Sequence, residues 1–143
     1  MPGSEGGARW RETSVSSSRP ARCSHSLRLS FAYEAIISPP RDWGRWAELV
    51  RALTAHLVER YGLEEVRDRW SFEVWNEANL DVFWSGTAEE YLRLYDVTVA
   101  AVREVDDQLV VGGPSSAAAQ WVELLLEHVS GTGAPVDFVS THT

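Results

Sequence analysis

Four short apolar runs, separated by stretches of helical period, set the strongest limit on how this chain folds. Residues 27–31 (LRLSF), 70–75 (WSFEVW), 109–113 (LVVGG) and 136–140 (VDFVS) have the length and the β-branched or aromatic content of buried strands. After the first run, Asp42 opens a helix on which Trp43, Trp46, Leu49, Val50, Leu53 and Leu57 recur at helical spacing, with Gly62 as the expected C-cap. The Trp pair reads as core rather than as a ligand platform. Thr87-Ala-Glu-Glu90 reads as a capping box, and Tyr91, Leu94, Tyr95, Thr98, Ala101, Val102 and Val105 then hold one helix face. Ser115 or Ser116 is the expected cap of a further helix with Trp121, Leu124, Leu125 and His128 on one face. Strands alternating with helices in this way predict a parallel sheet with right-handed crossovers.

Four such strands suit an open sheet or half of an eight-stranded barrel, which needs about 250 residues. The sequence stops directly after a strand with no helix to cover it, and no GxGxxG or GxxxxGK[ST] follows any strand. Both features favour the second. The expected fold class is α/β, a partial (β/α)8 TIM barrel running roughly from strand three to strand six. Residues 1–26, rich in Gly, Ser, Arg and Pro without period, read as a disordered or non-homologous leader, and residues 27–143 as the partial barrel domain.

Charge and cysteine content narrow the function classes. The net charge is −8, yet residues 1–28 carry five Arg against two Glu, which leaves the body strongly acidic. An acidic body argues against a polyanionic partner, and five scattered Arg without aromatic spacing make a weak nucleic-acid footprint. No apolar run approaches the roughly 18 residues of a membrane span, and the N-terminal stretch has no apolar h-region. Neither nucleic acid nor membrane is an expected partner. A single cysteine, Cys23, fits a reducing compartment, so a cytoplasmic location is expected. His25, His56, His128 and His142 lie far apart on different elements, and no metal or other cofactor is expected.

Polar residues gather where parallel sheets place function, at the C-terminal ends of strands: Asn76 and Glu77 after the second run, His142 after the last. Trp75, Phe83 and Trp84 near Glu77 would desolvate its carboxyl, raise its pKa and keep it protonated. Such an acid, beside an amide that holds a hydroxyl and aromatics that stack on a sugar ring, is what glycosidic bond cleavage needs as a general acid. Strand parity puts Glu73, Trp75 and Glu77 on the lumen side and Phe72 and Val74 toward the helices, with a bulge at Asn76. Glu73 then becomes a buried partner in a salt bridge or hydrogen bond. On these residues alone, Glu77 reads equally as a solvated loop acid or as a catalyst.

The segments RDWGRWAELVRALTAHLVERYG, FEVWNEANL, EEYLRLYDVTVAAVREVDDQLVVGGP and VDFVSTH together resemble glycoside hydrolase family 39, the β-xylosidase branch in particular, over residues 29–142. The resemblance implies a (β/α)8 barrel that hydrolyses β-xylosides or xylo-oligosaccharides with retention. It implies Glu77 as general acid/base, Asn76 as the residue that hydrogen-bonds the sugar 2-hydroxyl, and His142 and Phe31 as substrate-binding residues. Ala78 stands where family members usually have Pro, a change that Ala accommodates at the same φ. The family's nucleophile lies on a seventh strand, and no residue of this chain matches it. A retaining enzyme requires that second carboxylate about 5–5.5 Å from the acid. The sequence therefore reads as a fragment that is inactive alone. The alternatives are a relative acting on α-L-iduronides, and an inactive remnant or noncatalytic sugar-binding module.

Overall fold

The computed structural model describes residues 36–143. Seven elements follow one another: α1 (Trp43–Tyr61), α2 (Leu63–Arg69), β1 (Ser71–Glu73), α3 (Ala88–Arg103), β2 (Val110–Ala117), α4 (Val122–Thr132) and β3 (Phe138–His142). The strands form one parallel sheet in the order β1-β2-β3, so the predicted α/β alternation is present. The first predicted strand and the leader fall outside the described residues.

Local chemistry accounts for the helix ends. The Asp42 side chain accepts from the Arg45 N–H at 3.0 Å and starts α1. Gly62, at φ 90°, ends it and lets a second short helix, α2, begin at once. The sequence pattern assigns residues 63–69 to no element, between the Gly62 stop and the strand expected from Trp70, and the structure places α2 there. The capping box at α3 is complete: Thr87 Oγ1 accepts from the Glu90 N–H, and the Glu90 carboxylate accepts from the Thr87 N–H.

The expected cap at Ser115 or Ser116 is not found. Both residues are buried within β2, which runs on through Pro114 to Ala117, and α4 starts behind Trp121 with no side-chain cap. The strand persists because β3 offers partners beyond the Gly pair: Pro114 pairs with Ser140, Ser116 with Thr141 and Ala117 with His142, with a register shift that skips Ser115.

The helices pack on one face of the sheet. Val74, Trp84, Tyr91, Leu94, Tyr95, Val99, Val111, Leu125 and Val129 form the main core, and Val66, Val102 and Leu109 a second cluster with Phe72 against it. Burying each large apolar side chain contributes about 1.5–3 kcal/mol. Trp43 and Trp46 pack against the main core as expected, with the Trp46 indole N–H donating to Thr98 Oγ1 at 2.8 Å. Leu49 and Leu53 do not join it. They are exposed, and they edge a groove of about 250 Å³ lined also by Phe72 and Val102, because the inward face of α1 runs instead through half-buried Val50 and Val58, which pack on the second cluster, and buried Thr54.

Candidate active site

β1 ends at Glu73, but its backbone stays tied to β2. The Val74 N–H donates to the Gly112 carbonyl at 3.0 Å, and the Glu77 N–H to the Ser115 carbonyl at 2.8 Å. Between these two bonds Trp75 takes φ 68°, and Glu77 itself takes φ 48°. Left-handed backbone at two non-glycine residues breaks the alternation of sides. A break is found where a bulge was expected, centred on Trp75 rather than Asn76.

The break relocates the aromatic residues. Val74 and Trp75, neighbours in sequence, both pack into the helix-side core. The Trp75 ring lies 5.1 Å from Trp84 and 6.4 Å from Trp46, and its indole N–H donates to the Phe83 carbonyl at 2.9 Å. Trp84 is buried against Tyr91 and donates to the Thr87 carbonyl. These rings fill the core instead of enclosing the Glu77 carboxyl, so the expected apolar jacket around that acid is not formed. Glu73 does keep the predicted side of the sheet, in register with Gly112 and Phe138, but it is exposed and makes no ion pair among the described residues. The helices cover the other face.

The partner that the fold supplies to Glu77 is His142. Its Nδ1 lies 2.8 Å from Glu77 Oε1, joining residues 65 positions apart. The carboxylate side chain is 19% exposed and the imidazole 46%. On its other nitrogen, His142 Nε2 lies 3.2 Å from Ser115 Oγ. Ser115 is fully buried, takes φ 52°, and its N–H donates to Ser140 Oγ at 3.1 Å. Parallel pairing of β2 with β3 brings these groups to one end of the sheet, the C-terminal end of all three strands.

Asn79, which the sequence reading passed over, fastens the loop that carries Glu77. Its amide nitrogen donates to the Ala117 carbonyl at 3.2 Å and to Gln120 Oε1 at 2.9 Å, while its oxygen accepts from the Ala117 N–H at 2.9 Å. A side chain thus completes the backbone pairing that β1 has given up. Its signal in the sequence was an amide two residues past the acid, indistinguishable there from an ordinary turn residue. Asn76 is exposed and makes no hydrogen bond among the described residues; with Ile36, Ile37, Trp75 and Phe83 it lines an open, mainly apolar pocket of about 420 Å³. Phe31 lies outside the described residues. Among the described residues, no three His, Cys, Asp or Glu side chains converge as a metal site would require.

Comparison with known proteins places the chain. The profile of glycosyl hydrolases family 39 matches residues 14–143. The chain belongs to glycosyl hydrolases family 39. It is 44% identical over 124 residues to a β-xylosidase of Caldicellulosiruptor saccharolyticus, an alignment covering 86% of this chain and 25% of the relative. The solved structure of a family 39 β-xylosidase from Caulobacter crescentus superposes with a TM-score of 0.71 at 51% identity, over 75% of this chain and 24% of that one. An α-L-iduronidase of Canis lupus familiaris is more distant, 33% identical over 112 residues, covering 68% of this chain and 17% of the relative. This family 39 chain therefore spans about a quarter of the length of the β-xylosidases it matches.

Proposed function

We propose that this chain carries the acid/base side of a retaining β-xyloside hydrolase, built on part of a (β/α)8 barrel. The observation that carries the reading is the meeting of Glu77 and His142, 2.8 Å apart at the C-terminal ends of parallel strands, where barrels of this class assemble their sites. In this reading Glu77 gives a proton to the glycosidic oxygen as the bond to the leaving group breaks, then takes one from the water that releases the sugar. His142 orients the carboxyl through Oε1, and the exposed amide of Asn76 holds the sugar 2-hydroxyl. Xylosides are preferred over iduronides because the β-xylosidase is 44% identical over 86% of the chain, the iduronidase 33% over 68%.

Retention needs a nucleophilic carboxylate about 5–5.5 Å from the acid, and the reading assigns no residue of this chain to that role. The 143-residue chain is therefore expected to show no turnover by itself. The test grafts residues 36–143 into the Caldicellulosiruptor β-xylosidase in place of the matching segment. The expected result is hydrolysis of an aryl β-xyloside, falling about 10²–10⁴-fold on Glu77→Ala for a substrate whose leaving group needs the proton. An active chimera indifferent to Glu77, or Glu77-dependent turnover by the isolated chain, would overturn the assignment.

A further inference from the structure

The three groups Ser115, His142 and Glu77 stand in a row, and burial decides how protons run along it. Ser115 Oγ, His142 Nε2, His142 Nδ1 and Glu77 Oε1 are linked by contacts of 3.2 and 2.8 Å. The same order of side chains occurs in hydrolases whose serine is the nucleophile. Here the serine is fully buried, so no acyl group can reach Oγ. The row supports the carboxylate, not the hydroxyl.

We infer that Ser115 is a positioning residue that fixes the tautomer of His142 and thereby decides which oxygen of Glu77 carries the catalytic proton. Two independent constraints give the same assignment. Ionised Glu77 offers only acceptors, so the bond at Oε1 needs the hydrogen on Nδ1. Ser115 Oγ has no bonded neighbour other than Nε2 among the described residues. Were Nε2 to carry the hydrogen, the hydroxyl would accept it, and its own proton would be left in a fully buried place with nowhere to go. That arrangement is disfavoured by the desolvation of an unpaired donor. With Ser115 donating to Nε2, every group is satisfied.

The consequence lies at the far end of the row. Nδ1–H occupies Oε1 whether Glu77 is ionised or protonated, so a proton taken up by the carboxyl sits on Oε2. No described residue bonds to Oε2, which leaves it free to face a leaving group. The serine is itself held in place. Its carbonyl accepts from the Glu77 N–H and its N–H donates to Ser140 Oγ, so the hydroxyl, the imidazole and the carboxylate share one backbone frame. The role in catalysis rests on the function proposed above; the tautomer does not.

The imidazole nitrogens of the ¹⁵N-labelled 143-residue chain report the assignment directly, with no substrate and no turnover. Spectra are recorded at about pH 8, above the ordinary imidazole range, by magic-angle spinning of sedimented protein. His142 is identified by its loss in His142→Gln. Wild type is expected as the Nδ1–H tautomer. Ser115→Ala should move the tautomer ratio about tenfold toward Nε2–H, the factor that one hydrogen bond supplies. Ser115→Gly removes the same hydroxyl while relieving the positive φ, and should do the same should the Ala variant not fold. Nε2–H in wild type, an unchanged ratio in both variants, or labelling of Ser115 by a fluorophosphonate would each overturn the inference. An inactive chimera would instead sink the hydrolase reading and leave the tautomer standing.

Discussion

A Cβ placed on Gly112 would lie 2.3 Å from the carbonyl oxygen of Phe138 and 2.8 Å from its ring. The central strand meets β3 here so closely that only a hydrogen fits, and the Phe138 ring covers the place where a side chain would be. Gly112 also bonds back to Val74 through its carbonyl, at the last tie before the Glu77 loop. Gly112→Ala must therefore part β2 from β3 or shift Phe138. We expect a loss of about 2–3 kcal/mol or more, in line with overpacked cores, measured by urea denaturation. Gly131, on α4 with nothing within 4 Å of its Cβ position, is the control. There Ala should stabilise by about 0.5–1 kcal/mol through helix propensity.

Arg103, in the last turn of α3, grips Asp137 just before β3. Its Nη2 donates to Oδ1 at 2.7 Å and to Oδ2 at 2.6 Å, and Oδ2 also accepts from the Val111 N–H at 2.7 Å. One carboxylate thus joins helix, central strand and edge strand. Both side chains are partly exposed, at 19% and 33%, so solvent screening reduces the ion-pair share. Asp137→Ala should cost about 1–2 kcal/mol. Asp137→Asn should recover part of that, because an amide oxygen still accepts from Val111. Equal losses for the two variants would show that charge alone matters.

Tyr95 places its ring in the core, and its hydroxyl donates to the Pro135 carbonyl at 2.8 Å. Burial is the main reason its phenol is pushed up to about 12, with the Asp137 and Asp96 charges adding to it. In the unfolded chain the same phenol ionises near its ordinary value of about 10. Above that pH the unfolded state loses its proton first, so stability contributed by neutral Tyr95 is complete below about pH 10 and declines as pH rises toward 12. Tyr95→Phe should flatten that alkaline decline in pH-dependent denaturation while losing the bond to Pro135. A decline of unchanged slope in the variant would assign it to other groups.

Much of this arrangement was legible in the residues, and the failures have physical causes. The capping box at Thr87, the Asp42 cap and the Gly62 stop depend on neighbours within four positions, so sequence reads them directly. The parity of Glu73 against Phe72 also follows from strand geometry. What the sequence could not carry was the left-handed turn at Trp75. That turn sends a Trp into the core that alternation would have placed beside Glu77. Ser115 and Ser116 look like helix caps because serine before an apolar stretch usually is one. Only pairing with β3, more than twenty positions away, turns them into strand. The His142 contact with Glu77 is of the same kind: each residue stood out alone, but their meeting depends on the register of the sheet.

Asp106, between α3 and β2, accepts from Arg67 of α2 at 2.8 Å and from the Gln108 N–H at 3.0 Å. The Arg67 hydrogen bond is the main reason its carboxyl is held below the ordinary value, with the Gln108 bond and the charges of Arg67 and Arg103 acting in the same direction. A carboxyl with a depressed native pKa binds protons less readily folded than unfolded. Its contribution is present above the unfolded value of about 3.9 and is lost as pH falls through the lower native value. Asp106→Asn should therefore weaken the loss of stability that sets in as pH falls through the ordinary carboxylate range and lower stability near neutrality. Arg67→Met should produce the same loss of acid dependence, since it removes the cause rather than the titrating group. The Arg67 variant decides between pairing and local backbone: if acid dependence survives there but not in Asp106→Asn, the Gln108 bond holds the carboxylate, and α2 is not fastened to the sheet by charge.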